Sequence, residues 1–220
     1  RSADLTVVTS VWLRDFVAPN ARQVALVRNA AEYAHFAIAP AHPFRDAKGR
    51  AVIGYYGALA EWFDVDLVRA VAKRFSDALV LLVGHDQAHV QRALDDLPNV
   101  RFIGEVSYGD LPYFLHGFDV CLLPFRLLPL TLATNPVKLY EYLSAGKPVV
   151  SVDLPEAREC GGLVRVAEGT EELLLQVRQA LAGRGDVEAI AARQAYAASQ
   201  TWRERGQELE RVIEAIPWAG

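Results

Sequence analysis

The sequence has no methionine, only two cysteines, and four lysines against nineteen arginines. Cys121 and Cys160 lie far apart and form no CxxC pair, which excludes a disulfide framework and favours a reducing, cytoplasmic compartment. Because even position 1 is not methionine, we expect the chain to be a piece of a longer protein. The longest apolar runs, such as residues 78–84, are far too short for a transmembrane segment.

A surplus of basic residues is also lacking. The formal net charge of the 220 residues is −4, so nucleic acid is not expected as a partner, because binding it requires cations that neutralise phosphates. Apolar residues make up 52% and charged residues 23%, which excludes disorder and a coiled coil and predicts a globular protein with a substantial core.

Eight short apolar runs, bounded by Gly, Pro, Asn or Asp, predict buried β-strands. Most are continuous rather than alternating, as in strands covered on both faces. The runs are Leu5 to Thr9, Val24 to Val27, Val52 to Tyr56, Leu79 to Val83, Val100 to Ile103, Val120 to Leu123, Val149 to Val152 and Leu163 to Val166. Helical patterns alternate with strands from residue 51 to about 182, which predicts an α/β fold with a Rossmann-like parallel sheet flanked by helices.

Ligands of open parallel sheets bind outside the carboxyl ends of the strands. The residues that follow the predicted strands are therefore candidates for substrate binding or, in the case of Arg126, for catalysis. They are Gly57, Ala58, Gly84, Glu105, Val106, Arg126 and the loop that ends at Thr134 and Asn135.

The segment TNPVKLYEYLSAGKPVVS, residues 134–151, carries the strongest local signal. Asn135 is suited to be the N-cap of a helix, and Pro136 to be its first residue. Gly146 can end the helix in the left-handed conformation. Between these residues the helix is apolar nearly all round, which predicts burial.

A buried helix that starts at Pro136 and Val137 and faces a strand-end crevice forms an anion site with its free N–H groups, the first of which belongs to Val137. Lys138 adds a full positive charge in the first turn, where the helix dipole disfavours a cation unless an anion is bound there. Glu141, one turn deeper, can accept hydrogen bonds from vicinal hydroxyls. Together they suggest a nucleoside diphosphate site, although Lys138 and Glu141 could also be an ordinary surface ion pair along one helix face.

Over nearly its whole length the chain resembles the retaining GT-B glycosyltransferases of the group 1 (family 4-like) type. The resemblance lies in the helix segment above and in an ordered set of other segments: ADLTVVTSVWLRDF, ALVRNAAEYAHF, VIGYYGAL, LVLLVG, NVRFIGEV, FDVCLLPF and TWRERGQELERVI.

The resemblance implies a domain order. Residues 1–40 would be the end of an amino-terminal lobe plus the interdomain segment, and residues 41–50 a linker. Residues 51–198 would be the nucleotide-sugar-binding lobe of the GT-B fold, and 199–220 a helix that crosses back to the first lobe.

The resemblance also implies the chemistry. A nucleotide-diphosphate sugar would donate its sugar to an acceptor, with retention and without a metal or other cofactor, and the isolated chain would be inactive. The glycan or lipid-linked acceptor would bind the missing lobe, which could also reach the inner membrane surface. Glu141 would contact the ribose, the backbone around Glu105 and Val106 the base, and Gly57 the diphosphate.

The sequence departs from this family at two points. The family's first glutamate is replaced by Ala133, and its Arg and Lys after the first strand by Ala58 and the region of Trp62. We expect Arg126 and Lys138 to replace the missing cations, and Trp62 to face the cleft unless it packs in the core. A non-hydrolysing sugar-nucleotide epimerase of the GT-B fold and a noncatalytic nucleotide-sugar-binding or scaffold module remain alternatives.

Overall fold

The computed structural model describes residues 3–216, which form a six-stranded parallel sheet and a separate two-stranded parallel sheet. The six-stranded sheet has the order β5-β4-β3-β6-β7-β8, and β1 pairs with β2. The strands are β1 Thr6–Val8, β2 Val24–Leu26, β3 Val52–Tyr56, β4 Leu79–Val83, β5 Val100–Gly104, β6 Val120–Leu123, β7 Val149–Val152 and β8 Val164–Ala167.

These strands correspond to the eight predicted runs, with ends that differ by one residue at most. All residues of β3, β4 and β6 are buried, as expected for strands covered by helices on both faces. The predicted α/β class with a Rossmann-like parallel sheet is confirmed.

The sheet is flanked by helices that alternate with its strands. The α-helices of the described residues are α1 Val11–Val17, α2 Tyr33–Ala37, α3 Val65–Arg74, α4 Val90–Ala93, α5 Leu111–Gly117, α6 Pro129–Leu132, α7 Val137–Ser144, α8 Pro155–Arg158, α9 Thr170–Ala182, α10 Val187–Ala198 and α11 Trp202–Glu214. No helix within residues 3–216 combines the length and the apolar character that crossing a bilayer requires.

Helix α4 is shorter than the helical pattern of residues 87–94 predicts, since residues 87–89 precede it as a loop. The N–H groups of Gln87 and Ala88 donate to the carbonyl of Leu59, and His89 is left-handed at φ 56°. These bonds tie the loop to the turn after β3 instead of to a helix.

Helix α7 is buried, as its apolar composition predicts. Six of its eight residues are buried, and the helix packs against α2 and α10. Gly146 follows α7 with φ +67°, the left-handed position expected of it, and its N–H donates to Leu143.

The segment 41–50 packs on the large sheet's domain through Phe44. The Phe44 ring is buried, and its N–H donates to the carbonyl of Tyr113 at 2.8 Å. At the other end of the chain, α11 follows a parallel bridge between Ala31 and Thr201, which brings it to the segment after β2. Residues 217–220 of the predicted crossing helix lie outside the described residues.

Candidate functional site

The order of the strands places a crevice at the carboxyl ends of β3 and β6. From β3 the chain continues to β4 and β5 on one side, whereas β6, β7 and β8 lie on the other. Such a reversal leaves room for a ligand between the loops that follow the two central strands. Here those loops begin at Gly57 after β3 and at Pro124 after β6.

A cavity of about 430 Å³ opens beside the N-terminal end of α7. Six of the residues predicted for the site line it: Trp62, Thr134, Asn135, Pro136, Val137 and Lys138. Asn29, Phe125, Leu130 and Thr131 complete its wall. Trp62 therefore faces this cavity rather than lying wholly in the core.

A second cavity, of about 270 Å³, lies over the ends of β3, β4 and β5. The other five predicted substrate-binding residues line it: Gly57, Ala58, Gly84, Glu105 and Val106. The structure thus brings together, in two cavities, all ten residues that the sequence assigned to substrate binding.

Gly57, in the wall of the 270 Å³ cavity, lies next to Lys138, in the wall of the 430 Å³ cavity. A Cβ atom at Gly57 would lie 2.8 Å from the Lys138 Nζ, so a side chain at this position would displace the ammonium group. Lys138 Nζ lies 5.6 Å from the ring centre of Tyr55 and 5.7 Å from that of Phe125. Burial lowers the pKa of Lys138, and the charge of Glu141 opposes that shift.

Lys138 makes no ion pair or hydrogen bond through Nζ with any residue in the range 3–216. The alternative of an ordinary Lys138–Glu141 surface pair is therefore not what the structure contains. A half-buried ammonium beside free helix N–H groups can bind an anion that enters either cavity.

The Glu141 carboxylate is buried and accepts a hydrogen bond of 2.7 Å from the Tyr56 hydroxyl. Burial raises the pKa of Glu141, while Tyr56 and the Lys138 charge act in the opposite direction. Glu141 lines neither cavity itself, but Tyr56 lines the 270 Å³ cavity. The carboxylate thus lies directly behind the wall of that cavity.

Asn135 does not cap α7 through its side chain, contrary to the sequence prediction. The cap position is occupied by Pro136, and the helix begins at Val137. The Asn135 amide is instead engaged by Asn29, Tyr140 and Glu156. The helix N–H groups are therefore left without a side-chain cap at the cavity wall.

Arg126 is exposed and lines neither cavity. Its N–H donates to the carbonyl of Trp62 at 2.7 Å, and its guanidinium lies 3.5 Å from the carbonyl of Glu61. Arg126 is thus on the rim of the 430 Å³ cavity, next to Trp62 and Phe125, with a side chain that pairs with no carboxylate of the described part of the chain.

Sequence reasoning missed several residues that build this site. Tyr55 and Phe125 flank Lys138, Tyr56 holds Glu141, and Asn29 reaches the 430 Å³ cavity from the segment after β2. The aromatic residues sit inside continuous apolar runs, where only core packing is expected. Asn29 could not be found because no local sequence pattern indicates that it contacts Asn135, which is distant in the chain.

Comparisons with known proteins identify a relative in sequence, similar folds and a matching family. A protein assigned to teichuronic acid biosynthesis as a glycosyltransferase, TuaH of Bacillus subtilis (strain 168), is 30% identical over 139 residues, which are 60% of this chain and 35% of TuaH. This chain thus spans about a third of the length of that relative.

Two solved structures share the fold at low sequence identity. Sucrose-phosphate synthase of Thermosynechococcus elongatus superposes with a TM-score of 0.78 at 16% identity, covering 97% of this chain and 58% of that one. Anabaena Alr3699/HepE in complex with UDP-glucose gives a TM-score of 0.75 at 16% identity, covering 98% of this chain and 65% of that one.

The model of the family described as "Glycosyl transferases group 1" matches residues 50–197, which include the whole six-stranded sheet and both cavities except Asn29. This match covers more than half of the chain. By its sequence the chain belongs to the group 1 glycosyl transferases.

Proposed function

We propose that this chain binds the donor of a glycosyl transfer, a nucleotide-diphosphate sugar. The single observation that supports this most is Lys138. Its ammonium group has no partner among residues 3–216, lies in the uncapped first turn of α7, and lines one cavity next to Gly57 in the wall of the other. That is the position at which a diphosphate could join a nucleoside in one cavity to a sugar in the other.

The two cavities suggest which part of the donor each would take. The 270 Å³ cavity lies beside Glu141 and is walled by Glu105 and Val106, so it suits the nucleoside, with Glu141 accepting from the ribose hydroxyls. The 430 Å³ cavity is walled by Trp62, Phe125 and the first turn of α7, so it suits the sugar and the outer phosphate. The neighbour HepE has been crystallised with UDP-glucose, which is consistent with such a ligand.

The proposed chemistry is a transfer with retention at the anomeric carbon. The bond between that carbon and the outer phosphate oxygen breaks, and its electron pair remains on the departing nucleoside diphosphate. The acceptor hydroxyl forms the new bond and gives its proton to the diphosphate. Lys138, the N–H groups of α7 and Arg126 at the rim would stabilise the charge that develops, without a metal ion.

The acceptor would bind elsewhere in the whole protein. The relative TuaH is nearly three times as long as the matched part of this chain, so there is room for an acceptor-binding lobe outside these residues. A glycan or lipid-linked acceptor, and any contact of that lobe with the inner membrane surface, belong to this proposal. We accordingly expect the isolated chain to bind the donor but to transfer little.

Calorimetric titration of the 220-residue chain with UDP, GDP and ADP tests the proposal, with UMP, GMP and AMP as matched controls. We expect one diphosphate to bind at least about tenfold more tightly than its monophosphate, because the second phosphate meets Lys138 and the end of α7. Addition of EDTA should leave that affinity unchanged.

If none of the diphosphates binds, the chain is a noncatalytic scaffold module. The departures at Ala58 and Ala133, where the family often has charged residues, are the observation that favours that second candidate. An epimerase would instead bind the diphosphate but convert the nucleotide sugar to its epimer in the full-length protein, a change that proton NMR detects.

A further inference from the structure

The Glu156 side chain in α8 is fully buried, yet it lines neither cavity. Its carboxylate accepts three hydrogen bonds: from the Val11 N–H at 2.8 Å, from Arg28 Nε at 2.7 Å and from Asn135 Nδ2 at 2.8 Å. Two of these donors belong to the amino-terminal segment and the third to the loop before α7. A buried carboxylate is tolerated when donors surround it in this way.

These contacts fix the orientation of the Asn135 amide. The carboxylate of Glu156 can only accept, so it takes the Asn135 Nδ2 group, and the N–H of Asn29 can only donate, so it takes Oδ1 at 2.8 Å. A flipped amide would lose both bonds. The Asn29 side chain also donates to the Asn135 carbonyl at 2.7 Å, so the main chain of this loop is held as well.

The held loop leads directly into the proposed donor site. Asn135 is followed by Pro136, Val137 and Lys138, which line the 430 Å³ cavity. Two residues earlier, the carbonyl of Ala133 accepts from the Ser10 hydroxyl at 2.7 Å. The position of the first turn of α7 is therefore set by Glu156, 21 positions from Asn135, and by Asn29 and Ser10, which lie more than a hundred positions away from their partners in the chain.

We propose that Glu156 is a positioning residue: it places the first turn of α7 through Asn135 and makes nucleotide affinity depend on the amino-terminal segment through Arg28 and Val11. This inference rests on the proposed function. Because coupling between two sites is reciprocal, a nucleotide that binds the placed turn must also strengthen the contacts of Glu156 with that segment.

The test compares Glu156→Gln with Asp46→Asn in the 220-residue chain, with UDP and the other nucleoside diphosphates as probes. Asp46 pairs with Arg50 at 2.9 Å beside the start of β3, at the opposite edge of the sheet, so its variant also replaces an arginine-paired carboxylate by an amide. We expect the affinity of Glu156→Gln to fall about tenfold and that of Asp46→Asn to stay within about twofold. Urea unfolding of each variant measures the loss of stability separately.

A readout that a merely structural role would not move is the exchange of the Val11 amide hydrogen, followed by NMR. Val11 lines neither cavity. We expect nucleotide to slow exchange of the Val11 amide in the wild-type chain, and the slowing to disappear in Arg28→Ala. If Glu156→Gln does not fold, Arg28→Ala replaces it in the affinity measurement. The affinity of Arg28→Ala for the nucleoside diphosphate should then fall, whereas that of Asp46→Asn should not.

The outcomes separate the inference from the proposed function. If the wild-type chain binds no diphosphate, the proposed function fails and the inference fails with it. If the wild-type chain binds one and both Glu156→Gln and Arg28→Ala bind it equally well, the donor site stands and Glu156 is only a structural residue.

Discussion

Lys138 carries a positive charge at a place where the surrounding structure disfavours it. It lies in the first turn of α7, whose dipole is positive there, and burial lowers its pKa. The rings of Tyr55 and Phe125, with centres 5.6 and 5.7 Å from Nζ, compensate only in part. The charge of Lys138 lowers the stability of the free protein, and we expect a bound anion to offset that cost.

We predict that Lys138→Met weakens the binding of a nucleoside diphosphate by about tenfold or more, because one charge-assisted hydrogen bond is worth about 1.5–3 kcal/mol. The free energy of unfolding should stay the same or rise, since a buried charge is removed. Titration calorimetry and urea unfolding measure the two quantities. Lys73→Met, on the exposed face of α3, is the matched control and should change neither. Equal affinity in Lys138→Met and wild type would contradict this role.

Glu141 gives the protein a predictable dependence on pH. Its pKa in the folded chain is raised above the ordinary value of 4.5 by burial. The folded state therefore holds this proton more tightly than the unfolded state does, so the contribution of Glu141 is fully present below pH 4.5 and is lost as pH rises through the folded-state pKa.

We expect Glu141→Gln to lack that loss, so that its stability relative to wild type increases from pH 4.5 toward neutral pH. Urea unfolding of both proteins at several pH values between 4 and 8 measures the difference. A constant difference over that range would show that the pKa of Glu141 is the same in the folded and the unfolded state.

At the scale of elements, the ends of β3, β4 and β5 share one turn design. Each strand ends at a glycine with positive φ: +131° at Gly57, +144° at Gly84 and +85° at Gly104. The N–H of Gly57 donates to the carbonyl of Val83, and the N–H of Gly84 donates to the carbonyl of Gly104. Each turn is thus hydrogen-bonded to the end of the neighbouring strand. This arrangement brings the backbone itself to the floor of the 270 Å³ cavity.

We predict that Gly84→Ala destabilises the chain more than Gly104→Ala. Both variants place a side chain at positive φ, which costs about 1–2 kcal/mol. At Gly84 the new Cβ would also lie 2.0 Å from the carbonyl oxygen of Gly57, whereas at Gly104 it meets nothing within 4 Å. Urea unfolding should therefore show a loss of about 1–2 kcal/mol for Gly104→Ala and about 3 kcal/mol or more for Gly84→Ala. Equal losses of stability would mean that the Gly57 carbonyl, in the turn after β3, can move away from the new Cβ atom without a cost in free energy.

At the scale of the whole molecule, segment 41–50 packs against the domain of the six-stranded sheet, although its sequence is typical of a linker. The segment 41–50 is polar and contains Pro43, yet it packs Phe44 against Tyr113 and Phe114 of α5, with ring centres 6.2 and 5.9 Å apart. At Gly117 a Cβ would lie 2.4 Å from the Phe44 carbonyl oxygen, so this contact is close. Segment 41–50 is thus part of the packed unit.

We predict that Phe44→Ala lowers the free energy of unfolding by about 3–4 kcal/mol, because a large buried ring is lost and a cavity remains. Phe16→Ala, at a ring that is 67% exposed on α1, should cost less than about 1 kcal/mol. Chemical denaturation measures both. If Phe44→Ala costs no more than Phe16→Ala, segment 41–50 is a loose linker.

Much of the fold could be predicted because it depends on local patterns. Continuous apolar runs such as that of β4 are buried wherever the chain folds, and Gly146 ends α7 because glycine alone reaches φ +67° without strain. The ten predicted substrate-binding residues that line the cavities could also be found from the sequence, because a parallel sheet brings the residues after its strands to one edge. Short helices such as α6 and α8 were not predicted, because four residues carry no periodic signal.

The sequence by itself determined the α/β class, the eight strands, the burial of α7 and the edge of the sheet at which the two cavities lie. Only the tertiary structure decided what the polar side chains do there. Asn135 has a side chain suited to cap a helix, but it forms hydrogen bonds with Asn29 and Glu156 instead. Glu141 forms a hydrogen bond with Tyr56 rather than an ion pair with Lys138. The reason is physical: backbone preferences act within a few residues, whereas a buried polar group takes whichever partner the packed chain brings within about 3 Å.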